Sequence, residues 1–224
     1  MKRRNFIKTT AAGTLAFMLP SPSSAFAPGK KLRVAQVGLG SMGLNDLKDI
    51  ASHPAVEIVA LCDVDANALN TVKTKYANAK TFSDYREMFK SIGGEIDAVV
   101  VSTPDHAHAP VALKAMEMNK NVYCQKPLTH YIAESRKMDA VAAQKKLVTQ
   151  MGIQVHSFYD YKLATILIQK GIIGKVKKVI AWSPKVWGYD GPAPEGSDPV
   201  PEGLNWNLWL GTSKERPYKE GFYH

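Results

Sequence analysis

The segment LRVAQVGLGSMGLNDL, residues 32–47, decides the fold of this chain. Its first six residues form a short, mainly apolar run, which is typical of a strand buried inside a sheet. Three glycines follow at positions 38, 40 and 43, and apolar residues then recur at helical spacing. The segment therefore predicts a strand that turns through glycine directly into a helix.

The glycine turn, residues 38–43, is typical of a dinucleotide site. Gly38 permits a tight turn, Gly40 lets the backbone approach a pyrophosphate, and Gly43 allows close packing of helix and strand. Unpaired amides at the start of the helix would bind the phosphates. We expect cofactor contacts from every residue of the turn, namely Gly38, Leu39, Gly40, Ser41, Met42 and Gly43. A glycine turn without a ligand is the alternative.

Asp63 supports the dinucleotide interpretation. It lies 20 residues after Gly43, at the end of a second predicted strand, residues 56–62. Such a carboxylate accepts hydrogen bonds from the ribose hydroxyls of NAD, and its charge repels the 2′-phosphate of NADP. The next two residues, Val64 and Asp65, include no arginine that could receive that phosphate. We therefore expect NAD rather than NADP. The alternative for Asp63 is a turn residue that binds no ligand.

Strand and helix patterns alternate along the chain, which predicts the α/β class with a doubly wound parallel sheet. Further strands are expected at residues 80–82, 97–102, 121–124 and 147–151. A helix would run from a cap at Thr129 to about Lys145. Beyond it, residues 157–169 predict another helix, and residues 175–182 alternate like a strand.

Residues 1–27 resemble an export signal. Arg3 and Arg4 are followed by Phe6, by a short apolar stretch and then by small residues. Adjacent arginines in this setting are typical of the twin-arginine class. The apolar stretch, about 10 residues long, is too short to cross a bilayer. We expect a periplasmic or otherwise exported protein that uses the twin-arginine export machinery and has no stable membrane anchor.

Part of the positive charge belongs to this predicted signal. The 224 residues carry a formal net charge of +9. Residues 1–25 hold four basic and no acidic side chains, so their removal would leave +5. The remaining lysines are scattered, and we expect no nucleic-acid partner. Cys62 and Cys124 would end strands that are not neighbours in a 3-2-1-4-5-6 sheet, which predicts two free, buried thiols.

A second motif, STPDHAH at residues 102–108, lies where the strand predicted at 97–102 ends. In open parallel sheets ligands bind at this edge. A metal site is one hypothesis for the two histidines and the aspartate, but they are crowded into one short turn and no other ligand set is visible, so we expect no metal. A turn with helix-capping groups is favoured over a metal site.

A third motif, Gln125-Lys126-Pro127, follows the fifth predicted strand. A cis bond at Pro127 would turn the chain sharply and direct Lys126 into the cleft. A lysine buried there could assist proton transfer. A solvated lysine is the alternative.

Together these motifs resemble the glucose–fructose oxidoreductase / inositol dehydrogenase / MocA (Gfo/Idh/MocA) family. The resemblance extends over about residues 31–224 and is most specific at 34–43, 99–108 and 121–128. It implies an NAD-binding Rossmann domain at residues 31–154, followed at 155–224 by the start of an α+β open-sheet substrate domain. Two tail segments, PEGLNW at 201–206 and ERPY at 215–218, resemble an exported subgroup with twin-arginine signals.

The resemblance also implies roles for particular side chains. Lys126 would lie near the nicotinamide and the reacting carbon as a catalytic residue. His156, just beyond the sixth strand, is a second candidate catalytic residue, with a structural or solvated histidine as the alternative. Beside the glycine turn and Asp63, the expected cofactor contacts are Thr103, Pro104, His108, Gln125, Lys126 and Pro127.

The chain departs from the family pattern in two ways. The usual Glu-Lys-Pro is Gln125-Lys126-Pro127 here, so an amide replaces the carboxylate next to Lys126. The chain also contains about one strand of the substrate domain, which predicts a truncated product whose substrate side is incomplete. The four tryptophans, which are Trp182, Trp187, Trp206 and Trp209, are expected to pack against the missing part, with sugar-stacking surfaces as the alternative.

These features predict an exported NAD-dependent oxidoreductase that transfers a hydride between a nicotinamide cofactor and a sugar, polyol or glycoside. Redox-assisted glycoside cleavage, which some relatives perform, is one alternative. An inactive NAD-binding fragment is another. We expect a small-molecule sugar or glycoside as substrate and a homo-oligomer for a full-length form.

Overall fold

The structure is a computed structural model that describes residues 30–183, 191–192 and 194–221. The predicted export signal at residues 1–27 and Trp187 lie outside the described residues. Within the described ranges, no helix is both long enough and apolar enough to cross a bilayer.

Strands and helices alternate through residue 152, as the pattern predicts. The strands are β1 Leu32–Val37, β2 Val56–Cys62, β3 Lys80–Phe82, β4 Ala98–Val101, β5 Asn121–Gln125 and β6 Thr149–Gly152. The helices between them are α1 Ser41–Ala51, α2 Ala66–Lys73, α3 Tyr85–Ile92, α4 Asp105–Glu117 and α5 Ile132–Lys145. Two more helices follow, α6 Tyr159–Gln169 and α7 Trp206–Leu210.

The six strands form one parallel sheet in the order β3-β2-β1-β4-β5-β6, which confirms the doubly wound topology. At the centre of the sheet, Val37 of β1 pairs with Cys62 of β2 and with Val101 of β4. Parallel strands end at the same edge, so the three predicted motifs and Asp63 all leave the sheet on one side. This edge positions the candidate site.

The centre of the sheet is buried on both faces, whereas the edge strands β3 and β6 are largely exposed. Ala60 and Cys62 of β2 face one side, where they join a core cluster that includes Phe89 of α3. Leu61 points to the other side and belongs to a smaller cluster with Leu47 of α1. Side chains alternate along a strand, so two layers of helices are needed to bury both sets. Each large apolar side chain buried in this way stabilises the fold by roughly 1.5–3 kcal/mol.

Aspartates begin two of the helices. The Asp65 carboxylate accepts a hydrogen bond from the Asn67 amide at the start of α2, and Asp84 accepts one from the Arg86 amide at the start of α3, both at 2.8 Å. These bonds satisfy donors that the first helical turn leaves unpaired. The Arg86 guanidinium also hydrogen-bonds Asp84 and holds the pKa of that carboxyl below its usual value.

The predicted Thr129 cap of α5 is wrong. The helix begins at Ile132, and the Glu134 carboxylate accepts hydrogen bonds from the backbone amides of His130 and Tyr131 at 3.2 and 2.9 Å. Thr129 instead donates its hydroxyl to the Tyr131 carbonyl at 2.9 Å. A glutamate in the first turn competes well for these amides because its charge also favours the helix N-terminus.

The strand predicted at residues 175–182 is also wrong. These residues form no regular element and are exposed, and Val179 and Trp182 are each at least 80% exposed. Alternation of apolar residues makes a strand only where a partner strand completes the hydrogen bonds. None of the described residues pairs with this segment. The predicted helix at 157–169 is confirmed as α6, although it too buries no side chain.

The tail returns to the sheet domain through a segment that we call the strap, residues 201–213. Leu204 forms an antiparallel bridge with Asp65, and the Asn205 amide donates to the Val64 carbonyl at 2.9 Å. Further along, α7 places the Trp209 carbonyl 2.7 Å from His106 Nε2. The strap therefore crosses the carboxyl edge of the sheet from the end of β2 to the start of α4.

Candidate functional site

The glycine turn has the close contacts that its sequence predicts. Gly38 adopts φ +90°, a conformation that side chains disfavour, and a Cβ there would overlap the backbone of Ser102. A Cβ on Gly43 would overlap the Gly38 carbonyl. The turn is thus pressed against β4 on one side and against its own helix on the other. Both glycines are needed for these approaches.

Gly40 faces open space. No atom lies within 4 Å of the position that its Cβ would take. It also precedes α1, whose first turn has neither a side-chain cap among the described residues nor an acidic residue. The amides at this N-terminus and the positive end of the helix dipole are therefore available to an anion. This cradle fits the pyrophosphate of a dinucleotide.

Asp63 lies directly beside the glycine turn. One carboxylate oxygen accepts a hydrogen bond from the Leu39 amide at 2.6 Å, and the other accepts from the Asp65 amide at 2.9 Å. Burial raises the pKa of the Asp63 carboxyl above its usual value, and the two backbone amides partly offset this. The carboxylate is thus placed at the junction of β1 and β2, where a ribose bound above the turn would reach it.

The turn at residues 102–108 is tied to the Lys126-Pro127 turn by a buried histidine. His108 is 1% exposed, and its Nδ1 lies 2.6 Å from the Pro127 carbonyl while its Nε2 lies 2.8 Å from the Thr103 carbonyl. Both ring nitrogens are therefore engaged by backbone. The geometry gives His108 an indirect role, in which it holds two loops of the site together.

Thr103 offers an unused polar atom at the same edge. Its hydroxyl oxygen is buried and has no hydrogen-bond partner within the described part of the chain. A buried hydroxyl without a partner is unusual in a finished structure, because losing its hydrogen bonds to water costs free energy. A ligand group at this edge would complete the hydrogen bond of this hydroxyl.

The Lys126-Pro127 peptide is cis, as expected from the sequence. Lys126 itself is exposed rather than buried, so the structure agrees with the solvated alternative for its amine. The side chain stands at the carboxyl end of β5, beside the turn that follows β4. An exposed lysine at this position is free to reach a group bound over the sheet edge.

His156, the second candidate catalytic residue, lies at the surface. His156 is exposed and its ring stacks on Tyr161, with centroids 5.2 Å apart. Its segment starts near the glycine turn, because the side-chain amide of Gln154 lies 3.5 Å from the Met42 sulfur.

The described His, Cys, Asp and Glu side chains do not assemble into any group of three that would hold a metal.

The strap corrects the expectation for two tryptophans. Trp206 and Trp209 stack on each other with centroids 4.8 Å apart, and Trp209 also contacts the His106 ring at 5.0 Å. They therefore pack within this chain, against the start of α4. Trp182 is 82% exposed and remains available for a partner surface.

The centre of the site holds a buried carboxylate, Asp46, that none of the sequence motifs predicts. Asp46 of α1 is 7% exposed and accepts hydrogen bonds from the Ser102 hydroxyl and the Gln125 amide. A usable signal exists in its spacing. Asp46 lies three residues after Gly43, on the same face of α1 that packs against the sheet, where an acid needs a specific partner.

The glycine turn, the adjoining acid and the parallel sheet define a dinucleotide-binding Rossmann domain. Residues 32–153 match the GFO_IDH_MocA family, described as an oxidoreductase family with an NAD-binding Rossmann fold. The match covers more than half of the chain, which therefore belongs to this family. The resemblance carried by the three motifs is confirmed, and so is NAD as the cofactor of the fold.

Several curated proteins are similar to this chain. It is 36% identical over 136 residues to a glycosyl hydrolase family 109 protein of Stenotrophomonas maltophilia, covering 56% of this chain and 29% of that protein. It is 31% identical over 147 residues to the inositol 2-dehydrogenase of Salmonella typhimurium, covering 64% and 43%. The chain thus spans less than half the length of these relatives.

Solved structures give the same result for the fold. The myo-inositol 2-dehydrogenase of Lactobacillus plantarum superposes with a TM-score of 0.61 at 29% identity, covering 66% of this chain and 43% of that one. The scyllo-inositol dehydrogenase of Lactobacillus casei, solved with NAD(H) and scyllo-inositol, gives 0.60 at 26% identity, with 65% and 43% coverage. These structures support the six-stranded parallel sheet with flanking helices as the fold of this chain.

Proposed function

We propose that this chain is the cofactor-binding part of an NAD-dependent oxidoreductase that acts on a sugar, polyol or glycoside. The convergence of the glycine turn, Asp63, the Thr103-Pro104 turn and Lys126 on one edge of the sheet carries this proposal. It is supported by similarity to inositol dehydrogenases, whose names state a polyol substrate.

Different residues of the cofactor edge bind the cofactor and orient the substrate. When bound, NAD supplies the nicotinamide that exchanges a hydride with the substrate carbon. Amides of the glycine turn and the N-terminus of α1 hold the phosphates, while the Asp63 carboxylate accepts hydrogen bonds from the ribose hydroxyls. The exposed amine of Lys126 orients the substrate hydroxyl, and a base of the substrate side takes the proton that leaves as the hydride is transferred.

The apolar surface that follows β6 supports a substrate side larger than the described residues. Phe158, Tyr159 and Ile166 are more than half exposed, and many apolar side chains between 155 and 182 share this exposure. So many exposed apolar side chains within one short segment are typical of a surface that packs against another part of a protein or a partner. We infer that these residues pack against further substrate-domain residues or against a second copy, with His156 near the entrance to that region.

Export to the periplasm through the twin-arginine machinery belongs to the same proposal. It is supported by the Arg3-Arg4 pattern and the small-residue segment that closes residues 1–27. Fractionation of cells that express the tagged gene product tests it. The protein should appear in the periplasm in the wild type and stay in the cytoplasm when Arg3 and Arg4 are both changed to lysine; an unchanged distribution would refute the signal.

Redox-assisted glycoside cleavage is a second candidate, because one of the similar proteins is a glycosyl hydrolase family 109 protein. The two reactions differ in their products. Oxidation of a sugar releases NADH in proportion to substrate consumed. Cleavage releases the aglycone and leaves the amount of NADH unchanged, so both products measured in one assay separate the candidates.

Calorimetric titration of the 224-residue chain with NAD and NADP tests the cofactor assignment. We expect NAD to bind at least about tenfold more tightly than NADP, because the Asp63 charge opposes a 2′-phosphate. Asp63→Ala should weaken NAD binding and narrow this preference. Equal affinity for the two cofactors in the wild type would overturn the assignment.

Replacement of Lys126 tests the catalytic assignment in the full-length gene product. Lys126→Ala should lower kcat by about 100-fold or more, the range for groups that assist proton transfer, and leave the Kd for NAD within about twofold. Lys90→Ala is the matched control, because Lys90 is an exposed lysine of α3 away from the cofactor edge. Full turnover in the Lys126 variant would remove this residue from the mechanism.

A further inference from the structure

Asp46 is the most deeply buried carboxylate at the cofactor edge. It lies in the middle of α1, is 7% exposed, and accepts a hydrogen bond from the Ser102 hydroxyl at 2.6 Å. The Gln125 side-chain amide donates to both of its oxygens, at 3.0 and 2.9 Å. A carboxylate with this little exposure is tolerated only when its partners are all donors, as they are here.

The contacts of Asp46 extend to all three turns of the site. Gln125 uses its side-chain oxygen to accept a hydrogen bond from the Lys126 amide at 3.2 Å. Ser102 precedes Thr103, and its hydroxyl also receives a hydrogen bond from Gln36 at 3.2 Å. Gln36 in turn donates to the Gly38 carbonyl at 2.9 Å. One continuous network thus joins the glycine turn to the turns after β4 and β5.

The pair Asp46–Gln125 also explains why position 125 carries an amide. A glutamate in the same place would bring two carboxylates to about 3 Å, where both cannot stay ionised. Gln125 avoids this conflict, because its NH₂ group matches the acid. Gly152 of β6 leaves the space for this side chain, since a Cβ at that position would lie 2.8 Å from the Gln125 side chain. The carboxylate that Gln125 contacts therefore comes from α1, and it reaches the Lys126 turn only through the Gln125 side chain.

We propose that Asp46 is a positioning residue that acts through Gln125 to set the Lys126-Pro127 turn relative to the glycine turn. Asp46 has no contact with the cofactor or substrate in this role. It determines where the neighbouring loops stand when the cofactor binds. This inference rests on the proposed function for its effect on NAD binding, whereas the coupling between Asp46 and Gln125 is a property of the chain alone.

An exchange of the two side chains tests the proposal. Asp46→Asn leaves two amides facing each other, and Gln125→Glu leaves two carboxylates. The double variant Asp46→Asn/Gln125→Glu restores one acid and one amide in exchanged positions. Asp49→Asn is the matched control, because it removes an exposed carboxylate three residues further along the same helix.

Two measurements on the 224-residue chain follow the exchange. The first is the Kd for NAD by calorimetry, and the second is hydrogen exchange of the peptide that contains the Lys126 amide. Each single variant should weaken NAD binding by about tenfold and speed exchange of that amide, and the double variant should return both to within about threefold of the wild type. The Asp49 variant should match the wild type in both.

Gly152→Ala provides a second route to the same perturbation without changing a charge. Its methyl group displaces Gln125 from Asp46, so it should lower NAD affinity like Asp46→Asn, and the two changes combined should cost little more than either alone. Additive losses in either pair of variants would overturn the proposal. A wild type that fails to bind NAD would refute the proposed function instead, while rescue of the Lys126 amide exchange would still support the coupling.

Discussion

Two glycines of the same turn make opposite demands on the fold. A side chain on Gly43 would overlap the Gly38 carbonyl. Gly40 instead borders open space and has a φ of −62° that any residue adopts. Glycine at position 43 is therefore required for folding. Glycine at position 40 is required only if a ligand approaches the backbone there. Comparing the two positions separates folding from binding.

Alanine at each position should therefore give different results. Gly43→Ala should lower the free energy of unfolding by about 2 kcal/mol, as expected for an overpacked site, and impair NAD binding. Gly40→Ala should leave stability within about 0.5 kcal/mol of the wild type, because the change touches no other group, yet weaken NAD binding. Urea unfolding and calorimetric titration measure the two quantities. Unchanged NAD affinity in Gly40→Ala would contradict the cradle.

The ion pair of Arg33 and Asp97 gives the fold a defined dependence on pH. Their closest atoms are 2.7 Å apart, and the Arg33 guanidinium holds the pKa of the Asp97 carboxyl below its ordinary value of 3.8. The stabilisation is complete above that ordinary value and is lost as the pH falls through the lowered pKa. Urea unfolding from pH 7 to 2 should show a wild-type advantage over Asp97→Asn that disappears at the acid end. A constant difference would be contrary to this assignment.

At the scale of elements, the strap connects the tail of the chain to the cofactor edge of the sheet. The Ala66 amide donates to the Gly203 carbonyl at 2.9 Å, and the Asn67 side chain donates to the Glu202 carbonyl at 2.8 Å. These bonds hold the loop that follows Asp63. A tail segment thereby stabilises the loop that would bind the ribose.

Gly203 is the position at which the strap can be released. It has φ +89°, and a Cβ there would lie 2.7 Å from the Asn67 side chain. Gly203→Ala should speed hydrogen exchange of the Ala66 and Asn205 amides and weaken NAD binding. Gly196→Ala is the matched control, because Gly196 also has a positive φ, at +78°, but faces open space. Equal effects of the two variants would show that backbone strain alone, rather than the strap contact, is responsible.

The sequence predicts elements well wherever local chemistry defines them. The strand that contains Val99–Val101 follows from an apolar run of a few residues. The strap could not be predicted in this way, since its bonds join residues more than 100 positions apart. The wrong strand at 175–182 has the same origin, because alternation says nothing about whether a partner strand is present.

The candidate site shows the same division. Glycines, Asp63 and Lys126 are visible because each belongs to a short motif with a fixed relation to a strand end. Asp46 has only the weaker signal of its spacing after Gly43, because an aspartate in a helix is usually solvated and the packing of α1 is what buries this one. From the sequence, Gln125 is visible only as a departure from the usual glutamate. The reason for the amide is Asp46, which belongs to α1.

At the scale of the whole molecule, the parallel sheet gathers the site and separates the thiols. Every strand delivers its following turn to the same edge, which brings the three motifs together. Cys62 of β2 and Cys124 of β5 end on that edge as well, but β1 and β4 lie between their strands. At about 4.8 Å per strand their backbones are about 14 Å apart, beyond the roughly 7 Å limit for a disulfide.

Both thiols should therefore remain reduced and unreactive until the sheet opens. Burial raises the pKa of the Cys62 thiol above its usual value and raises that of Cys124 to about 12, so neither supplies the reactive thiolate at neutral pH. Labelling with a thiol reagent at pH 8 should modify almost none of the native chain. In a urea series, both cysteines should be labelled together along the unfolding curve measured by fluorescence. Rapid labelling of one thiol in the native chain, or an intramolecular disulfide in its mass spectrum, would contradict the strand order.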